Sequence, residues 1–349
     1  MATCLIGLGS NLGDRRQSLD QAVERLTRQP HVRLTARSRW YETAPVGGPP
    51  GQGPFLNGAA VLETSLEPEA LFAVLAGVEA DSGRRRAERW GPRPLDIDLL
   101  LYGELVLESP SLTIPHPRMA WRRFVLEPAA EVAPGMVHPT TGWTIARLLD
   151  YLNTALPYVA IAGPIGVGKT RLAERLAQRV SVTQITEQLS SRRMEAFYAD
   201  PSGNARAMEL EFLDERARLL SAELPSWSER GRLWVSDFWF NQCLAYAGVW
   251  LAPERFDAYR RRWEDARRTV IAPKLTVVLD APADRLLERI QRRGRRGERR
   301  LSAEVLERVR QAILAEAGRP GQGPVLRLAG EGPERMLLEE LLGAVEAMQ

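Results

Sequence analysis

The residues most informative about chemistry are two aspartates, Asp96 and Asp98, set two apart in an apolar stretch. The pattern predicts a buried strand, in which successive side chains alternate between the two faces. The carboxylates therefore point to one face, and Leu95, Ile97 and Leu99 to the other. Neighbouring carboxylates repel each other and are costly to bury, so a cation should hold them. Paired oxygen ligands suit Mg²⁺, which takes one or two carboxylates and then substrate phosphates.

Arginines are concentrated just before this pair, at Arg84, Arg85, Arg86, Arg89 and Arg93. A guanidinium forms forked hydrogen bonds with phosphate oxygens, as the binding of a polyphosphate requires. Acids that hold a metal and arginines that hold phosphate together predict a site for transfer from a magnesium nucleotide.

Four further segments accompany this one in order along residues 1–155. The five are 7–14 (GLGSNLGD), 41–45 (YETAP), 55–59 (FLNGA), 89–102 (RWGPRPLDIDLLLY) and 114–128 (IPHPRMAWRRFVLEP). Together they resemble the motifs of the 6-hydroxymethyl-7,8-dihydropterin pyrophosphokinase family. The resemblance implies a ferredoxin-like α+β sandwich that transfers pyrophosphate from ATP to the pterin, releasing AMP, in folate biosynthesis.

The resemblance also implies roles for individual residues. Asp96 and Asp98 would hold two Mg²⁺ ions that bridge the ATP phosphates. The residues implied to bind the pterin are Thr43, Phe55, Asn57 and Phe124, with the two rings stacking on it. Those implied to contact phosphate or transition-state charge are Arg85, Arg93, His116 and Arg122. The basic stretch is one residue shorter than the family pattern, so Arg84 and Arg85 compete for one role.

A second nucleotide motif follows, the segment 163–170 (GPIGVGKT). It lies between a predicted strand, 158–162, and a predicted helix, 171–180, which is the context of a P-loop. Backbone N–H groups around Gly163, Gly166 and Gly168 would cradle phosphate, Lys169 would reach the β/γ oxygens, and Thr170 would ligate Mg²⁺. Of the 47 basic residues only two are lysines, Lys169 and Lys274.

The remaining sequence predicts a parallel sheet covered by helices on both sides. Strands are predicted at 182–185, 233–237, 275–280 and 325–328, and helices at 205–220 and 334–348. Glu187 follows the first of these strands, and Asp237 ends the second. A glycine-hinged arginine cluster, 289–298, is typical of a mobile lid over a transferring phosphate.

The features that carry a second family resemblance are the P-loop, Glu187, the segment 197–200 (FYAD), Ser236–Asp237 and the lid (RIQRRGRRGE). Through them, residues 157–349 resemble the bacterial deoxynucleoside kinases. The resemblance implies a P-loop kinase fold in which Glu187 is the general base for the nucleoside 5′-hydroxyl. Arg289, Arg293 and Arg295 would stabilise the transferring phosphoryl group. Asp237 would lie at the substrate, and Glu209 would occupy the position of a base-reading Gln.

Two positions depart from that pattern. No basic residue follows Asp237, where the family places an arginine near the 5′-oxygen. Glu209 replaces glutamine: an ionised carboxylate would favour a base edge that presents donors, whereas a protonated one would imitate the amide. Three hypotheses therefore stay open for this half: an active deoxynucleoside kinase, a catalytically silent nucleotide-binding domain, and a P-loop kinase for another small substrate.

Length, charge and cysteine content limit the number of domains and the kinds of partner that the chain is expected to have. A chain of 349 residues predicts two domains, at 1–155 and 157–349. The net charge of +3 is small, so we expect no nucleic-acid partner. The two cysteines, Cys4 and Cys243, are too few for a disulfide framework and should be buried and reduced. We expect no membrane span or leader peptide, a cytoplasmic protein, and a homodimer through the kinase half.

Overall fold

The computed structural model describes residues 1–82, 90–188, 191–229, 232–295 and 297–349. Contacts divide them into two compact units, one of Met1–Thr154 with Leu342–Gln349 and one of Ala155–Leu341. Among the predicted site residues, Arg85 lies outside the described residues, as do its neighbours Arg84, Arg86 and Arg89.

The first unit is built around a five-stranded antiparallel sheet of β1 (Ala2–Ser10), β2 (Val32–Arg37), β3 (Tyr41–Thr43), β4 (Phe55–Thr64) and β5 (Asp96–Tyr102). Two separate strand pairs are β6 (Leu107–Glu108) with β7 (Thr113–Ile114), and β8 (Val137–His138) with β9 (Trp143–Thr144). Its helices are α1 (Arg15–Thr27), α2 (Pro68–Asp81), α3 (Arg123–Val132) and α4 (Ile145–Thr154).

The strand order is β2-β4-β1-β5, and β3 also pairs with β4. Local signals start the helices: the Asp14 side chain accepts the Gln17 N–H at 2.9 Å before α1, and Pro68 opens α2. Apolar side chains of α1 and α2, such as Leu19 and Leu71, form one core with the inward residues of the sheet. This order and layering confirm the predicted ferredoxin-like α+β sandwich.

The second unit contains a parallel sheet. Its strands are β10 (Tyr158–Ala162), β11 (Val182–Ile185), β12 (Leu233–Ser236), β13 (Leu275–Asp280) and β14 (Val325–Ala329). Its helices are α5 (Lys169–Ala177), α6 (Ser191–Ala199), α7 (Pro201–Leu219), α8 (Gln242–Trp250), α9 (Pro253–Arg267), α10 (Ala283–Arg293) and α11 (Ala303–Ala317). The last helix, α12 (Glu334–Ala347), contains the division between the two units.

The parallel strands follow the order β11-β12-β10-β13-β14, which confirms the predicted kinase fold. Every residue of β10 is fully buried, as expected for a central strand covered on both faces. The segments after β10, β11 and β12 all leave the same edge, because parallel strands share the direction of their carboxyl ends. That edge brings together the P-loop, Glu187 and Asp237.

Some boundaries differ from the predicted ones. Helix α7 begins at Pro201 rather than 205, because Asp200 caps it by accepting the Gly203 N–H at 3.1 Å. The C-terminal residues 342–349, predicted to belong to the second domain, fall within the first unit. Within that unit the Gly47 N–H donates to Glu346 Oε2 at 3.1 Å.

Both cysteines are free and buried, as predicted, and burial raises the pKa of Cys4 to about 12. None of the helices in the described part of the chain has the length and apolarity needed to cross a bilayer.

Candidate functional sites

One transverse row of residues crosses the sheet of the first unit. Gly9 on β1 lies opposite Asn57 on β4 and opposite Asp96 on β5. Directly opposed residues of antiparallel strands point to the same face, so Asn57 and Asp96 share a face with only a glycine between them. A Cβ on Gly9 would lie 2.9 Å from Asn57 Oδ1. The glycine therefore leaves open space between the residue implied for the pterin and the residue implied for the metal.

The residues implied for the pterin lie around this row. Asn57 Nδ2 donates to Thr43 Oγ1 at 2.8 Å, which fixes the orientation of the amide. Phe55 and Phe124 are half-buried, and the aromatic contacts between described residues include no direct pair of these two rings. Each ring therefore keeps exposed surface that a planar ligand can contact.

Each of these rings lies next to a predicted phosphate-binding arginine. The guanidinium carbon of Arg93 is 5.8 Å from the centroid of Phe55, and that of Arg122 is 5.4 Å from the centroid of Phe124. Such distances permit cation–π attraction. The structure thus brings the aromatic and the cationic parts of the predicted site together.

The two aspartates alternate with buried apolar residues along β5, as the sequence pattern predicts. Arg93 Nη1 lies 3.0 Å from Asp96 Oδ2. Burial lowers the pKa of Arg122 to about 10, and the charge of Asp98 acts in the opposite direction. No group of three or more His, Cys, Asp or Glu side chains that could enclose a metal occurs among the described residues. Two carboxylates without a third ligand fit Mg²⁺, which completes its shell with phosphate oxygens and water.

His116 is a neutral imidazole with an assignable tautomer. Burial lowers its pKa to about 3, and Arg122 and Arg118 act in the same direction. The Arg118 backbone N–H donates to His116 Nδ1 at 3.2 Å. Because Nδ1 accepts, the proton belongs on Nε2, which makes that nitrogen a hydrogen-bond donor. His116 can therefore bind an anionic oxygen at neutral pH.

The P-loop adopts the conformation that its glycines permit. Gly163, Gly166 and Gly168 have φ angles of 142°, 84° and 106°. At Gly163 a Cβ would lie 2.5 Å from the carbonyl oxygen of Leu279, so a side chain there would collide with the backbone of β13. The Thr170 hydroxyl donates to Asp237 Oδ2, which joins the P-loop to the end of β12.

A cavity of about 410 Å³, the larger cavity, opens beside the P-loop. The predicted kinase residues that line it are Gly166, Lys169, Thr170, Glu187, Glu209, Asp237, Arg293 and Arg295. Most of the residues predicted for this half thus meet in one space, although they come from five different segments of the chain.

Two of the lid arginines are oriented by a buried acid. Arg293 Nη2 donates to Glu298 Oε2, and Arg295 Nη1 lies 3.6 Å from Glu298 Oε1. Gly294, with a φ of 74°, ends α10 between these two arginines.

Arg289 does not line the larger cavity but a second one of about 370 Å³, which shares Gly166 and Arg293 with it. Its Nη1 donates to the Val167 carbonyl at 3.3 Å and its Nη2 to the Gly330 carbonyl at 2.8 Å. In this arrangement Arg289 joins the backbone of the P-loop to the segment after β14. Its implied role at the transferring phosphoryl group stays a prediction.

Glu209 is buried, with 3% of its surface exposed. Burial raises the pKa of Glu209 to about 8, although the charge of Arg216 acts in the opposite direction. The protonated form therefore dominates at neutral pH. Of the two alternatives left open by the sequence, burial favours the carboxylic acid that imitates an amide.

Sequence reasoning missed Arg216 of α7, which also lines the larger cavity and is 4% exposed. Its Nε donates to Glu187 Oε1. The signal was available: Arg216 follows Glu209 by seven residues, or two helical turns, and so lies on the same face of α7.

Comparisons with known proteins agree with this geometry. The family model of 7,8-dihydro-6-hydroxymethylpterin-pyrophosphokinase matches residues 5–134. The deoxynucleoside kinase model matches residues 159–332. Both are the families that the sequence motifs indicated, so these predictions are confirmed.

Relatives named 2-amino-4-hydroxy-6-hydroxymethyldihydropteridine pyrophosphokinase match the N-terminal part. The one from Synechocystis sp. is 41% identical over 149 residues, which are 43% of this chain and 75% of the relative. The one from Pseudomonas aeruginosa is 42% identical over 156 residues, 45% of this chain and 93% of the relative.

Among solved structures, deoxyadenosine kinase from M. mycoides with bound dATP is 14% identical, with a TM-score of 0.48. The match covers 54% of this chain and 99% of that protein, and at this TM-score it adds nothing to the family assignment. The two family matches and the pyrophosphokinase relatives suffice: the chain belongs to the 7,8-dihydro-6-hydroxymethylpterin-pyrophosphokinase family, with a deoxynucleoside kinase domain after its pyrophosphokinase domain.

Proposed function

We propose how the residues of the N-terminal domain divide the work of pyrophosphoryl transfer from ATP to 6-hydroxymethyl-7,8-dihydropterin. Asn57, oriented by Thr43, binds the polar edge of the pterin, and Phe55 and Phe124 hold its two faces. The observation that carries the proposal is the row in which Gly9 separates Asn57 from Asp96. A pterin at Asn57 would reach across the glycine toward phosphates held at the aspartates.

Asp96 and Asp98 are the residues that would hold Mg²⁺. When bound with ATP, the metal neutralises charge on the phosphate oxygens. Arg93, Arg122 and the Nε2–H of neutral His116 bind the remaining phosphate oxygens. The hydroxymethyl oxygen attacks the β-phosphorus and releases its proton to solvent, the bond between that phosphorus and the oxygen bridging to the α-phosphate breaks, and AMP leaves. Positioning and charge neutralisation dominate such transfers, so a strong general base is not required.

The test is AMP formation from ATP and the pterin by Asp96→Asn and Asp98→Asn. We expect each variant to lose at least about 100-fold in kcat, because an uncharged amide holds Mg²⁺ poorly. Asp150→Asn, an exposed acid on α4, is the matched control and should retain full activity. Near-normal AMP formation by both site variants would overturn the metal assignment.

For the C-terminal domain we propose phosphorylation of a deoxynucleoside at its 5′-hydroxyl. Glu187 takes the hydroxyl proton, the 5′-oxygen bonds to the γ-phosphorus of ATP, and ADP leaves. Thr170 would hold Mg²⁺, while Lys169, Arg293 and Arg295 bind the phosphates. The observation that carries this proposal is the larger cavity, where Glu187 and Lys169 face one space together with Glu209.

The experiment is ADP release by the full chain with ATP, Mg²⁺ and each natural deoxynucleoside in turn. Turnover with one or two of them is expected, since one buried side chain, Glu209, is positioned to read the base. If ATP binds but no deoxynucleoside is phosphorylated, the domain is a silent nucleotide-binding companion. Phosphorylation of another small metabolite instead would assign a different P-loop kinase.

We also propose, from the family resemblance alone, a homodimer through the kinase half. Sedimentation of the full chain at micromolar concentration tests it, and a monomer would overturn it.

A further inference from the structure

Arg216 is a buried cation that lines the larger cavity and has no role in the mechanism proposed above. Its Nε donates to Glu187 Oε1, and its Nη1 contacts Cys243 Sγ at 3.2 Å. The guanidinium carbon lies 4.9 Å from the ring centroid of Phe212 and 5.4 Å from that of Phe238. The guanidinium is therefore hydrogen-bonded to Glu187 and Cys243 along its edge and lies near two aromatic rings.

The Nη2 group of Arg216 is not fully enclosed by protein. Within the described part of the chain, no hydrogen bond involves Arg216 Nη2, and this atom is not among the fully enclosed polar atoms that lack a partner. The side chain lines the larger cavity together with Glu187. An unpaired N–H donor beside the general base is thus available to a ligand oxygen.

Arg216 stays protonated in this enclosed position. Burial works to lower the pKa of Arg216, but the charge of Glu187 and the hydrogen bonds with Glu187 and Cys243 hold it well above the usual value. A buried ion pair is weak as a source of stability, because desolvation offsets most of the attraction. A charged pair kept at the edge of a cavity is therefore better explained by function than by folding.

The sequence around Asp237 explains why a cation from another element is needed. Between Asp237 and Arg255 the chain contains no lysine or arginine. The residue after Asp237 is Phe238, which is fully buried and packs against the guanidinium of Arg216. Helix α7 thus places a positive charge where the segment after β12 supplies only an apolar ring.

We propose that Arg216 takes part in the kinase reaction: Nε aims Glu187 at the 5′-hydroxyl, and Nη2 donates to the 5′-oxygen and the phosphoryl group that it attacks. This rests on the proposed deoxynucleoside kinase function. As the 5′-oxygen bonds to the γ-phosphorus, its proton passes to Glu187 and the bond to ADP breaks. Arg216 stays protonated throughout and stabilises the negative charge shared between the oxygen and the transferring group.

The test compares Arg216→Ala and Arg216→Lys with the wild type in full-length protein. Arg216→Ala should lower kcat by about 100- to 1000-fold, as for loss of one preorganised donor, while ATP still binds. Arg216→Lys should remain impaired, because an ammonium cannot bond Glu187 and the substrate in the fork geometry. Arg206→Met, an exposed arginine on the same helix, is the matched control and should keep full activity.

Added guanidinium ion separates a role in the reaction from a role in folding. Millimolar guanidinium should partly restore kcat to Arg216→Ala, whereas methylammonium should not. A folded Arg216→Ala or Arg216→Lys with kcat near the wild type would overturn the inference and leave the kinase function standing. Guanidinium that raises Tm without raising kcat would also overturn it. If the wild type phosphorylates no deoxynucleoside, both the inference and the proposed function fall.

Discussion

The ammonium group of Lys169 donates to the carbonyl oxygen of Gly163 at 2.8 Å. A second bond runs to the Pro164 carbonyl at 3.1 Å, so the lysine is folded back onto its own loop. Burial lowers the pKa of Lys169 to about 8, and the charge of Asp237 acts in the opposite direction. The two carbonyl oxygens thus serve as hydrogen-bond acceptors for the ammonium group.

Lys169→Met should abolish phosphorylation of a deoxynucleoside, because the variant loses the charge that meets the β/γ-phosphates. The measurement is ADP formation with saturating ATP. AMP formation from the pterin in the same preparation serves as the control for intact protein. ADP formation within about tenfold of the wild type would contradict the P-loop assignment.

Gly9→Ala should weaken pterin binding. The new Cβ would lie 2.9 Å from Asn57 Oδ1, so the amide that faces the pterin would have to move. We expect KM for the pterin to rise by about tenfold or more, with a smaller effect on KM for ATP. Gly77→Ala is the matched control, since a Cβ at Gly77 of α2 would meet nothing within 4 Å. Equal effects of the two substitutions would show that the row is not a binding surface.

Glu209→Gln should change how stability depends on pH. The pKa of Glu209 is raised from 4.5 to about 8, so the unfolded chain releases this proton at lower pH than the folded chain does. The contribution of Glu209 to the free energy of unfolding is therefore fully present below pH 4.5 and is lost as the pH rises toward about 8. The slope is up to about 1.4 kcal/mol per pH unit.

The glutamine variant lacks this titration. Urea unfolding at pH 5 and pH 7.5 should therefore show that its free energy of unfolding, relative to that of the wild type, increases with pH. Parallel pH profiles for the two proteins would mean that Glu209 is ionised when folded.

Glu209→Gln should also preserve the choice of base. A protonated carboxyl offers one donor and one acceptor, as an amide does, so kcat/KM for each deoxynucleoside at pH 6.5 should keep its rank order. Glu209→Ala removes both groups and should lower kcat/KM for the preferred base by about 10- to 1000-fold. A rank order inverted by glutamine would indicate that an ionised Glu209 reads donors on the base.

Features that depend on neighbours in the sequence were predictable from the sequence. The alternation around Asp96 and Asp98 needs only the two-residue period of a strand, and β5 shows it. The P-loop is a short segment whose glycines permit its backbone angles wherever the chain places it. Family motifs then identified both domains, because these local segments carry the chemistry.

Relationships between distant segments were decided by tertiary structure. The pairing of β1 with both β4 and β5 places Gly9 between Asn57 and Asp96, and no local pattern encodes that register. Arg289 and Arg293 lie within one short helix, yet Arg289 donates to the backbone of the P-loop whereas Arg293 lines the larger cavity.

Arg216 shows the same division most clearly. Its position on one face of α7 with Glu209 follows from the helical period, but its contact with Glu187 exists only because α7 packs beside the carboxyl end of β11. Which charged groups meet, and which lose water, depends on how the elements pack. Local segments of the sequence supply the chemistry available to each domain, whereas packing selects which arginine faces which acid, because ion pairing and desolvation act through space rather than along the chain.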